Sequence, residues 1–509
     1  MKPKRAKSTA KAPKRAYGPL LLPCSILLVA LVFRTVSLTT CSTLLDEGIT
    51  RDVVTGIWHG EWSNNWKYTV SAPDFRIDQY NFSSYLYADA LIAGVASQVA
   101  DRLPNGDPDF VFWSRLFSAL AGTFAILLFY LVARRLFGQA TAIVAMFLMA
   151  VMPLLVQDSH YARPEAFVVA LTGAAYLFLL RFDSHRDRLK YLGYSAFCFG
   201  LLIACKVSLI PMAAIPVLFL APLKDRRLLI RAAGICAGCT LVGVFIGVPT
   251  AFFHPAAYWH GVESLRRQYA GSITPHASID SNNSVWLTAL YFWQTTGFLL
   301  LFSLAGALVL ARTRRFVLLA AIGGPVAFYL LFFSLQHTFF ERNLSHVAPL
   351  MTILAAVALT ALSETIPVKA RTAALIALVA LTAAPALWVS NKLVFDAMRI
   401  SPDQRALNYE VHLFRTVRKI DGTMALFTDE QLNTMMRLAA TADHNTLIRI
   451  ADYHDSFTKR HLAELERRTN WREAGYFPSV FEGYGVSTLI AYHAVSYRYL
   501  LLRVTPPAR

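Results

Sequence analysis

Charged residues are scarce in this sequence. Asp, Glu, Lys and Arg make up 16% of the 509 residues, against about 25% in an average soluble domain. Hydrophobic residues make up 55%, and the mean hydropathy is +0.43. A single core cannot hide that much apolar surface, so the composition excludes an ordinary soluble globular protein.

Acidic residues are also few, since 32 Asp and Glu stand against 49 Lys and Arg and give a net charge of +17. In a soluble chain this balance would suggest a nucleic-acid partner. Here, however, seven of the first 18 residues are basic and none is acidic, and most other basic clusters fall in short gaps between apolar stretches. That pattern is typical of the cytoplasmic segments of membrane proteins. It predicts contact with membrane lipids and no nucleic-acid partner.

Cysteine is infrequent, with six residues that lie mostly within apolar stretches. Neither a disulfide scaffold nor a redox site is therefore indicated. Cys236 and Cys239 form a CxxC pair, but Gly, Ala and Val flank them. This setting favours small packing residues in a membrane-spanning helix. An internal repeat is also missing.

Apolar stretches long enough to cross a membrane recur along the chain. They predict about eleven transmembrane helices, at roughly 20–40, 112–133, 137–157, 165–180, 191–205, 208–222, 229–250, 287–311, 316–335, 347–363 and 372–390. If the N-terminus is cytoplasmic, every segment between apolar stretches that would face the cytoplasm is basic. The sequence thus predicts a polytopic α-helical membrane protein, with residues 1–19 as a cytoplasmic basic tail and 20–390 as the transmembrane domain.

Three longer segments lie outside the apolar stretches. The first outer loop, 41–111, carries ten acidic and four basic residues and is rich in Trp and Tyr, which predicts interfacial helices on the periplasmic side. A second outer loop covers about 251–286. The tail, 391–509, is mixed in charge and contains alternating apolar runs at 487–491 and 498–504. These runs are typical of strands, so we expect a small soluble α/β domain, on the periplasmic side if eleven spans is right.

Acidic residues at the predicted outer surface are the first candidates for chemistry. Asp46 and Glu47 follow the first span. They suit either the start of an interfacial helix, where the helix dipole favours acids, or a carboxylate base that deprotonates an acceptor attacking a lipid-borne group. Asp158 lies in a polar turn that ends at Pro164 and Glu165. Ordinary helix-start chemistry is the alternative there.

Basic residues near these acids are candidates for a phosphate site. Arg51 and Arg163 lie on the same predicted face and are suited to bind a phosphate. Lys206 ends an apolar span, where a charge needs a partner or a water-filled cavity unless it reaches back to the surface. Arg342 follows Glu341, so a simple ion pair is the alternative for it.

Aromatic and polar residues of the outer turns are candidates for substrate contact. His160 and Tyr161 lie in the turn after Asp158, although a histidine there also commonly caps or packs. The second outer loop adds Tyr258, Trp259 and Arg266. Aromatic rings suit a sugar and a cation suits a phosphate.

Several motifs, taken in order, carry a resemblance to a known family. They are the Asp-Glu pair after the first span, Tyr80-Asn81-Phe82-Ser83-Ser84-Tyr85-Leu86, Ser114-Arg115-Leu116-Phe117-Ser118-Ala119-Leu120-Ala121-Gly122, Arg134-Arg135-Leu136-Phe137-Gly138 and Ser159-His160-Tyr161-Ala162-Arg163-Pro164-Glu165. The sequence resembles the membrane glycosyltransferases of the GT-C fold over roughly residues 20–350. The closest branch is the protein O-mannosyltransferase and lipid A aminoarabinose transferase superfamily. One departure is Gly48-Ile49-Thr50, where that family often has an aromatic residue.

The resemblance implies an inverting transferase that takes a sugar from a polyprenyl-phosphate donor at the outer face of the cytoplasmic (inner) membrane. The acceptor would be a lipid, a polysaccharide or a protein. Asp46 would match the first-loop catalytic carboxylate, with Glu47 completing the pair and Asp158 as the second acidic position. Lys206 resembles the family's lysine after the fifth span, and Arg163 and Arg342 resemble ligands of the lipid phosphate.

No cofactor is expected, because the resembling branches are metal-independent. An Asp-Glu pair is also able to hold a divalent ion, so a metal is the less favoured alternative. Two other functions remain open on the sequence. A secondary transporter would have a similar number of spans but would place its charges near the midplane and often show two similar halves. A non-catalytic subunit of an envelope-assembly complex would leave Asp46 inert.

Overall fold

The computed structural model of the chain shows a helical bundle followed by a small mixed sheet. It describes residues 18–41, 45–61, 70–72, 75–77, 83–102, 109–185, 188–270, 284–336, 339–399, 419–425, 429–441, 446–452, 456–469, 471–482 and 496–502.

The first outer segment and the bundle contain two short strands and seventeen helices within the described residues. In chain order these are α1 (Gly18–Thr35), α2 (Leu45–Trp58), β1 (Val70–Ala72), β2 (Phe75–Ile77), α3 (Ser83–Asp101), α4 (Phe110–Phe137), α5 (Gln139–Val151), α6 (Pro153–Asp158), α7 (Glu165–Ser184), α8 (Leu189–Cys205), α9 (Val207–Leu220), α10 (Arg226–Gly247), α11 (Thr250–Phe253), α12 (Pro255–Ala270), α13 (Ser284–Thr296), α14 (Leu299–Arg312), α15 (Phe316–Ser334), α16 (Ala348–Glu364) and α17 (Val368–Asn391). A single 3-10 turn, Glu341–Leu344, precedes α16, and a π-helical turn, Lys392–Ala397, extends α17.

Five helices are long and apolar enough to cross a membrane within the part of the chain that the structure describes. They are α4, α7, α10, α15 and α17 with its π-helical extension. The bent pair α13 and α14 makes a sixth if it is one span, and five further apolar helices have 10–17 residues. The predicted polytopic helical architecture is therefore confirmed in its coarse form. The number eleven stays a prediction.

Helices α8 and α10 pack closely where two glycines face each other. Gly200 on α8 lies against Gly243 on α10, and a Cβ atom on Gly243 would lie 2.9 Å from the Cα atom of Gly200. Only residues without a side chain permit this approach, which is how small residues bring membrane helices together. The outward face of α10 carries exposed apolar residues such as Leu241 and Ile246.

The predicted span 287–311 is not straight. Helices α13 and α14 meet at an angle of 102°. Gly297 stands between them with φ +56° and packs against the ring of Pro385 in α17. A side chain is strained at that backbone conformation. The span predicted over 287–311 thus contains a bend that its composition does not indicate, because the apolar residues continue unbroken through it.

The outer segment contains helices with the polarity of an interface. On α3, Leu91, Val95 and Val99 are exposed while Asp89 and Ser97 are buried. An apolar outer face over a polar inner face is the reverse of a helix on a water-soluble protein. The structure of α3 therefore agrees with contact to lipid. Trp62, Trp66, Tyr68 and Tyr80, aromatic residues of the same loop, lie outside the described residues.

The tail forms a four-stranded sheet with two helices. These elements are β3 (Lys419–Ala425), α18 (Asp429–Thr441), β4 (Thr446–Asp452), α19 (Ser456–Arg468), β5 (Trp471–Phe477) and β6 (Ser496–Leu502). The strand order is β3-β4-β6-β5; β3 and β4 are parallel, and β6 is antiparallel to both β4 and β5.

Both α18 and α19 cover one face of this sheet, around Ile448, Ile450 and Leu500. The predicted strand at 498–504 overlaps β6, whereas the one at 487–491 lies outside the described residues. The boundary predicted at residue 390 falls inside continuous helix. A separate C-terminal domain stays a prediction.

Candidate active site

Polar and charged side chains gather at one end of the helical bundle. Helices α4 and α7 begin at this end, and α1 and α8 finish there. At the opposite end, the last turn of α4 carries Arg134 and Arg135, and the last turn of α7 carries Arg181. The two ends therefore differ, because buried carboxylates and cations meet at one, whereas the helices at the other finish in basic residues.

Glu47 ties the first outer segment to this end of the bundle. Its two carboxylate oxygens accept hydrogen bonds from Nε and Nη2 of Arg115 at 2.8 and 2.7 Å. The backbone N–H of Ala162 also donates to Glu47 at 2.8 Å, and Arg115 donates further to the Leu38 carbonyl. Glu47 is fully buried, so this carboxylate holds α2, α4 and the turn before α7 together.

His160 joins the same turn to the end of the first helix. Its Nδ1 lies 2.8 Å from the carbonyl oxygen of Val156, and its Nε2 lies 2.9 Å from that of Val36. The side chain is fully buried. Both ring nitrogens therefore face main-chain carbonyl oxygens, and the predicted substrate contact of His160 stays a prediction. Tyr161 is also buried, with its hydroxyl at the Cys41 thiol.

Glu165 is the centre of a second buried cluster. Lys206 Nζ donates to Glu165 Oε1 at 2.8 Å, and Arg163 Nε donates to Oε2 at 3.3 Å. The carboxylate is 1% exposed, and the Lys206 side chain is 12% exposed. The charge that ends the apolar span at Lys206 thus has a partner, which is the condition for keeping it there.

Asp158 lies beside this cluster at the end of α6. The hydroxyl of Ser345 donates to its Oδ2 atom. Burial and the neighbouring Glu165 carboxylate both raise the pKa of Asp158 well above its ordinary value, while Lys206 and Arg163 oppose that shift. A carboxyl in such surroundings favours its protonated form.

The 3-10 turn brings Arg342 to the same place. Arg342 acts electrostatically on Glu165, and its guanidinium lies 4.2 Å from the centre of the Phe340 ring. The next residue, Asn343, donates from Nδ2 to the hydroxyl of Tyr269 on α12 at 2.9 Å. Helix α12 is therefore fastened to the turn that carries Arg342.

The remaining predicted site residues do not join this cluster. Arg51 is 54% exposed and pairs with its neighbour Asp52. Trp259 is exposed, and Arg266 pairs with Glu263 on its own helix. Tyr258, half-buried, lies on that same helix, α12.

Asp46, the predicted carboxylate base, directly precedes Glu47 on α2. Its backbone belongs to the first turn of α2, but its side chain lies outside what the structure describes. The role predicted for Asp46 therefore stays a prediction. Its neighbour Glu47 fixes the position of the turn on which it stands.

Sequence reasoning missed several members of the cluster. The sequence around Glu165 indicates only the start of a helix. A carboxylate directly after Pro164 is, however, a suitable ion-pair partner for a buried Lys206. Nothing in the sequence around Ser345 indicates a role in the site, because its hydrogen bond to Asp158 joins residues 187 positions apart. The described residues contain no group of three His, Cys, Asp or Glu side chains placed to bind a metal.

Part of the chain matches a known protein family. Residues 109–253 match the family model described as dolichyl-phosphate-mannose-protein mannosyltransferase. This segment runs from the start of α4 through α11 and includes Arg115, Asp158, Glu165 and Lys206. A search of curated protein sequences gave no match.

Solved structures of two membrane enzymes share the fold. The oligosaccharyltransferase of Archaeoglobus fulgidus in its apo form has a TM-score of 0.52 and 15% identity, with 80% of this chain and 63% of that chain covered. The chain thus spans less than two thirds of that enzyme. ArnT from Cupriavidus metallidurans, solved with undecaprenyl phosphate, has a TM-score of 0.51 and 13% identity, with 97% and 99% covered. At these identities the similarity establishes the fold.

The family match covers Asp158, Arg163, Glu165 and Lys206 of the charged cluster but not Arg342, and the structural similarity to ArnT extends over nearly the whole chain. The resemblance noted from the sequence motifs is confirmed by both. The chain therefore shares the fold of these two membrane enzymes, the fold that its sequence motifs resemble, and its residues 109–253 match the mannosyltransferase family model.

Proposed function

We propose that the chain is an inverting glycosyltransferase that moves a sugar from a polyprenyl-phosphate donor to a hydroxyl of a lipid, polysaccharide or protein acceptor. The observation that carries this proposal is the buried cation cluster around Glu165. Arg163 and Lys206 both bind this carboxylate, and Arg342 acts on it. These three cations act on one carboxylate, Glu165, and the raised pKa of the neighbouring Asp158 reduces the negative charge that opposes them. Such a site is suited to a phosphodiester anion.

The donor class is supported by the comparisons. ArnT of the same fold was solved with undecaprenyl phosphate, and the family that matches residues 109–253 is described by its use of dolichyl-phosphate mannose. In the proposed reaction, the bond between the anomeric carbon and the phosphate oxygen breaks as the acceptor oxygen bonds to the opposite face of that carbon. The negative charge that develops on the leaving phosphate is stabilised by Lys206, Arg163 and Arg342.

The base for this reaction is proposed to be Asp46, which takes the proton of the acceptor hydroxyl. Glu47 would act on position rather than chemistry, since both of its oxygens are engaged by Arg115. Its bonds hold the first turn of α2 against the bundle, and that turn carries Asp46. Asp158 would contribute by orienting the segment of Ser345 and Arg342.

The site is proposed to face the periplasm from a bacterial inner membrane. Support comes from the distribution of charge, because Arg134, Arg135 and Arg181 lie at the end of the bundle opposite Glu165. Basic ends of membrane helices favour the cytoplasmic side. A donor carried by a polyprenyl lipid would then reach the cluster from the outer leaflet.

Release of polyprenyl phosphate by the detergent-purified protein tests the proposal. The donors are polyprenyl-phosphate sugars carrying mannose, glucose or aminoarabinose, supplied with membrane extract as the source of acceptor. We expect release by the wild type, loss of at least a hundredfold in Lys206→Met and in Asp46→Asn, and no effect of a chelator.

Lys190→Met serves as the matched control, because Lys190 is an exposed lysine at the other end of α8 that lies over the Tyr191 ring. Its activity should equal that of the wild type. Folded wild-type protein that releases nothing from any donor would overturn the proposal and favour a transporter or an assembly subunit. Full activity in Lys206→Met would overturn the role given to the cation cluster.

A further inference from the structure

His346 is a buried histidine next to the cation cluster that the proposed reaction does not yet use. Its side chain is 3% exposed, between the 3-10 turn and α16. Its Nε2 atom has no hydrogen-bond partner among the described residues. An unsatisfied buried polar atom costs about 1–3 kcal/mol, so a partner for this nitrogen is to be sought in a ligand.

The ring cannot turn freely to find a partner within the protein. Tyr329 packs edge-on against it, with ring centres 4.2 Å apart, and Tyr329 is itself fixed by donating to the Ser208 carbonyl at 2.8 Å. The backbone of Asn343 lies close enough to the imidazole to favour its protonated form. Since Nε2 makes no hydrogen bond, Nδ1 is the nitrogen placed to donate to that carbonyl. The neutral ring then carries its lone pair on Nε2.

The residues around His346 indicate which part of the polyprenyl-phosphate sugar would bind Nε2. Ser345, the preceding residue, binds Asp158, and Lys206 is near enough to act electrostatically on the imidazole. His346 therefore lies in the neighbourhood of the cations proposed to hold the donor phosphate. A lone pair repels a phosphate oxygen, which is also an acceptor, but it attracts a hydroxyl. The hydroxyls that lie next to this phosphate are those of the attached sugar.

We propose that His346 is a specificity-determining residue whose Nε2 accepts a hydrogen bond from a hydroxyl of the donor sugar close to its anomeric carbon. This assignment rests on the proposed function. Burial and the charge of Lys206 lower the pKa of His346 to about 3, so the imidazole stays neutral at physiological pH. A group so weakly basic serves as a hydrogen-bond acceptor and not as the base.

Two substitutions separate this role from packing. In His346→Asn, the amide nitrogen takes the place of Nδ1 and keeps the bond to Asn343, but nothing replaces Nε2. In His346→Gln, the longer side chain can place its amide oxygen near the position of Nε2. His185→Asn is the control, because His185 is an exposed histidine at the end of α7.

The experiment measures kcat/KM for the best donor of the panel above and for its mono-deoxy analogues. For the wild type, removing the hydroxyl that Nε2 binds should lower kcat/KM about ten- to hundredfold. For His346→Asn, removing the same hydroxyl should lower kcat/KM by less than about threefold, because the variant no longer has the nitrogen that binds it. For His346→Gln, removing this hydroxyl should again lower kcat/KM, but by a smaller factor than in the wild type. A purely structural role would lower kcat/KM for all donors equally.

The outcomes distinguish the two proposals. Stabilisation by undecaprenyl phosphate, which has no sugar, should be unchanged in His346→Asn and lost in Lys206→Met. If the wild type and His346→Asn show equal penalties for every deoxy analogue, the assignment of His346 is overturned while the proposed function stands. If the wild type uses no donor and is not stabilised by undecaprenyl phosphate, the proposed function fails, and the assignment fails with it.

Discussion

Glu47 and Arg115 form a buried ion pair across 68 residues of sequence, with side chains 0% and 5% exposed. Removing one partner leaves the other charge buried without compensation, which costs about 3–5 kcal/mol. We therefore expect Glu47→Gln to lower the apparent unfolding temperature of the purified protein strongly. Activity should fall in proportion to the folded fraction.

Arg51→Gln is the control for this prediction, since Arg51 pairs with Asp52 on the same helix while both are about half exposed. An exposed pair contributes about 1 kcal/mol or less, so stability should hardly change. If Glu47→Gln keeps its unfolding temperature but loses activity, Glu47 takes part in the chemistry, as the sequence first suggested.

Asp89 on α3 is a second buried carboxyl, and burial raises its pKa to about 7. The hydroxyls of Ser114 and Tyr85 are nearby, but neither carboxyl oxygen has a hydrogen bond of normal geometry to another described residue. The folded protein thus holds this proton up to about pH 7, whereas the unfolded chain releases it near pH 4. Stability should fall as the pH rises through that window and level off above it.

The measurement is the unfolding temperature between pH 5 and 8 for the wild type and Asp89→Asn. We expect a smaller decrease with pH in the variant, and at pH 8 a gain of up to about 4 kcal/mol in its stability over the wild type. Asp101→Asn, at the exposed end of the same helix, should retain the wild-type slope. Equal slopes in all three proteins would refute the shifted pKa.

Single residues differ in how far the sequence could predict them. Lys206 was identified because a charge in an apolar stretch demands a partner. Its partner Glu165 was not, since the contact depends on how α7 and α8 pack. His346 has no pattern around it at all, and only the structure shows that its Nε2 is unsatisfied.

The packing of α8 on α10 provides a test at the level of helices. A Cβ atom added to Gly243 would clash with the carbonyl oxygen of Phe197, whereas one added to Gly234, on the same helix, meets nothing within 4 Å. Gly243→Ala should therefore destabilise the protein by about 1–3 kcal/mol through overpacking. Gly234→Ala should stabilise it by about 0.5–1 kcal/mol, because alanine is the better helix former.

Thermal unfolding of the two variants in one detergent checks this contrast. Because both changes are Gly to Ala on α10, differences in helix propensity and in detergent binding cancel. A rise in unfolding temperature for Gly243→Ala would mean that α8 and α10 do not approach as closely as described.

Helix positions were predictable where composition alone determines them. The apolar runs at 165–180 and 229–250 correspond to α7 and α10 within a few residues. The bend between α13 and α14 was not predictable, because it depends on Gly297 meeting Pro385 about 90 residues later. A glycine inside an apolar run is common in membrane helices and does not by itself indicate a bend.

For the molecule as a whole, the sequence predicted basic residues where α4 and α7 end, and the side of the membrane that each end faces stays a prediction. The sequence could not predict how the C-terminal sheet is attached. Phe481, in the connection after β5, is buried in the core of the helical bundle and not in that of the sheet. Such a contact joins residues that are distant in sequence, and no hydrophobic periodicity in the sequence predicts it.

The right-angled bend before α14 also concerns the bilayer. Helix α14 has 14 residues, which at about 1.5 Å per residue reach only about 21 Å, while the hydrocarbon core of a typical membrane is about 30 Å thick. If α14 crosses the bilayer, the lipids beside it would have to compress or tilt their tails. The membrane would then be thinner at this helix, and shorter acyl chains would relieve that mismatch.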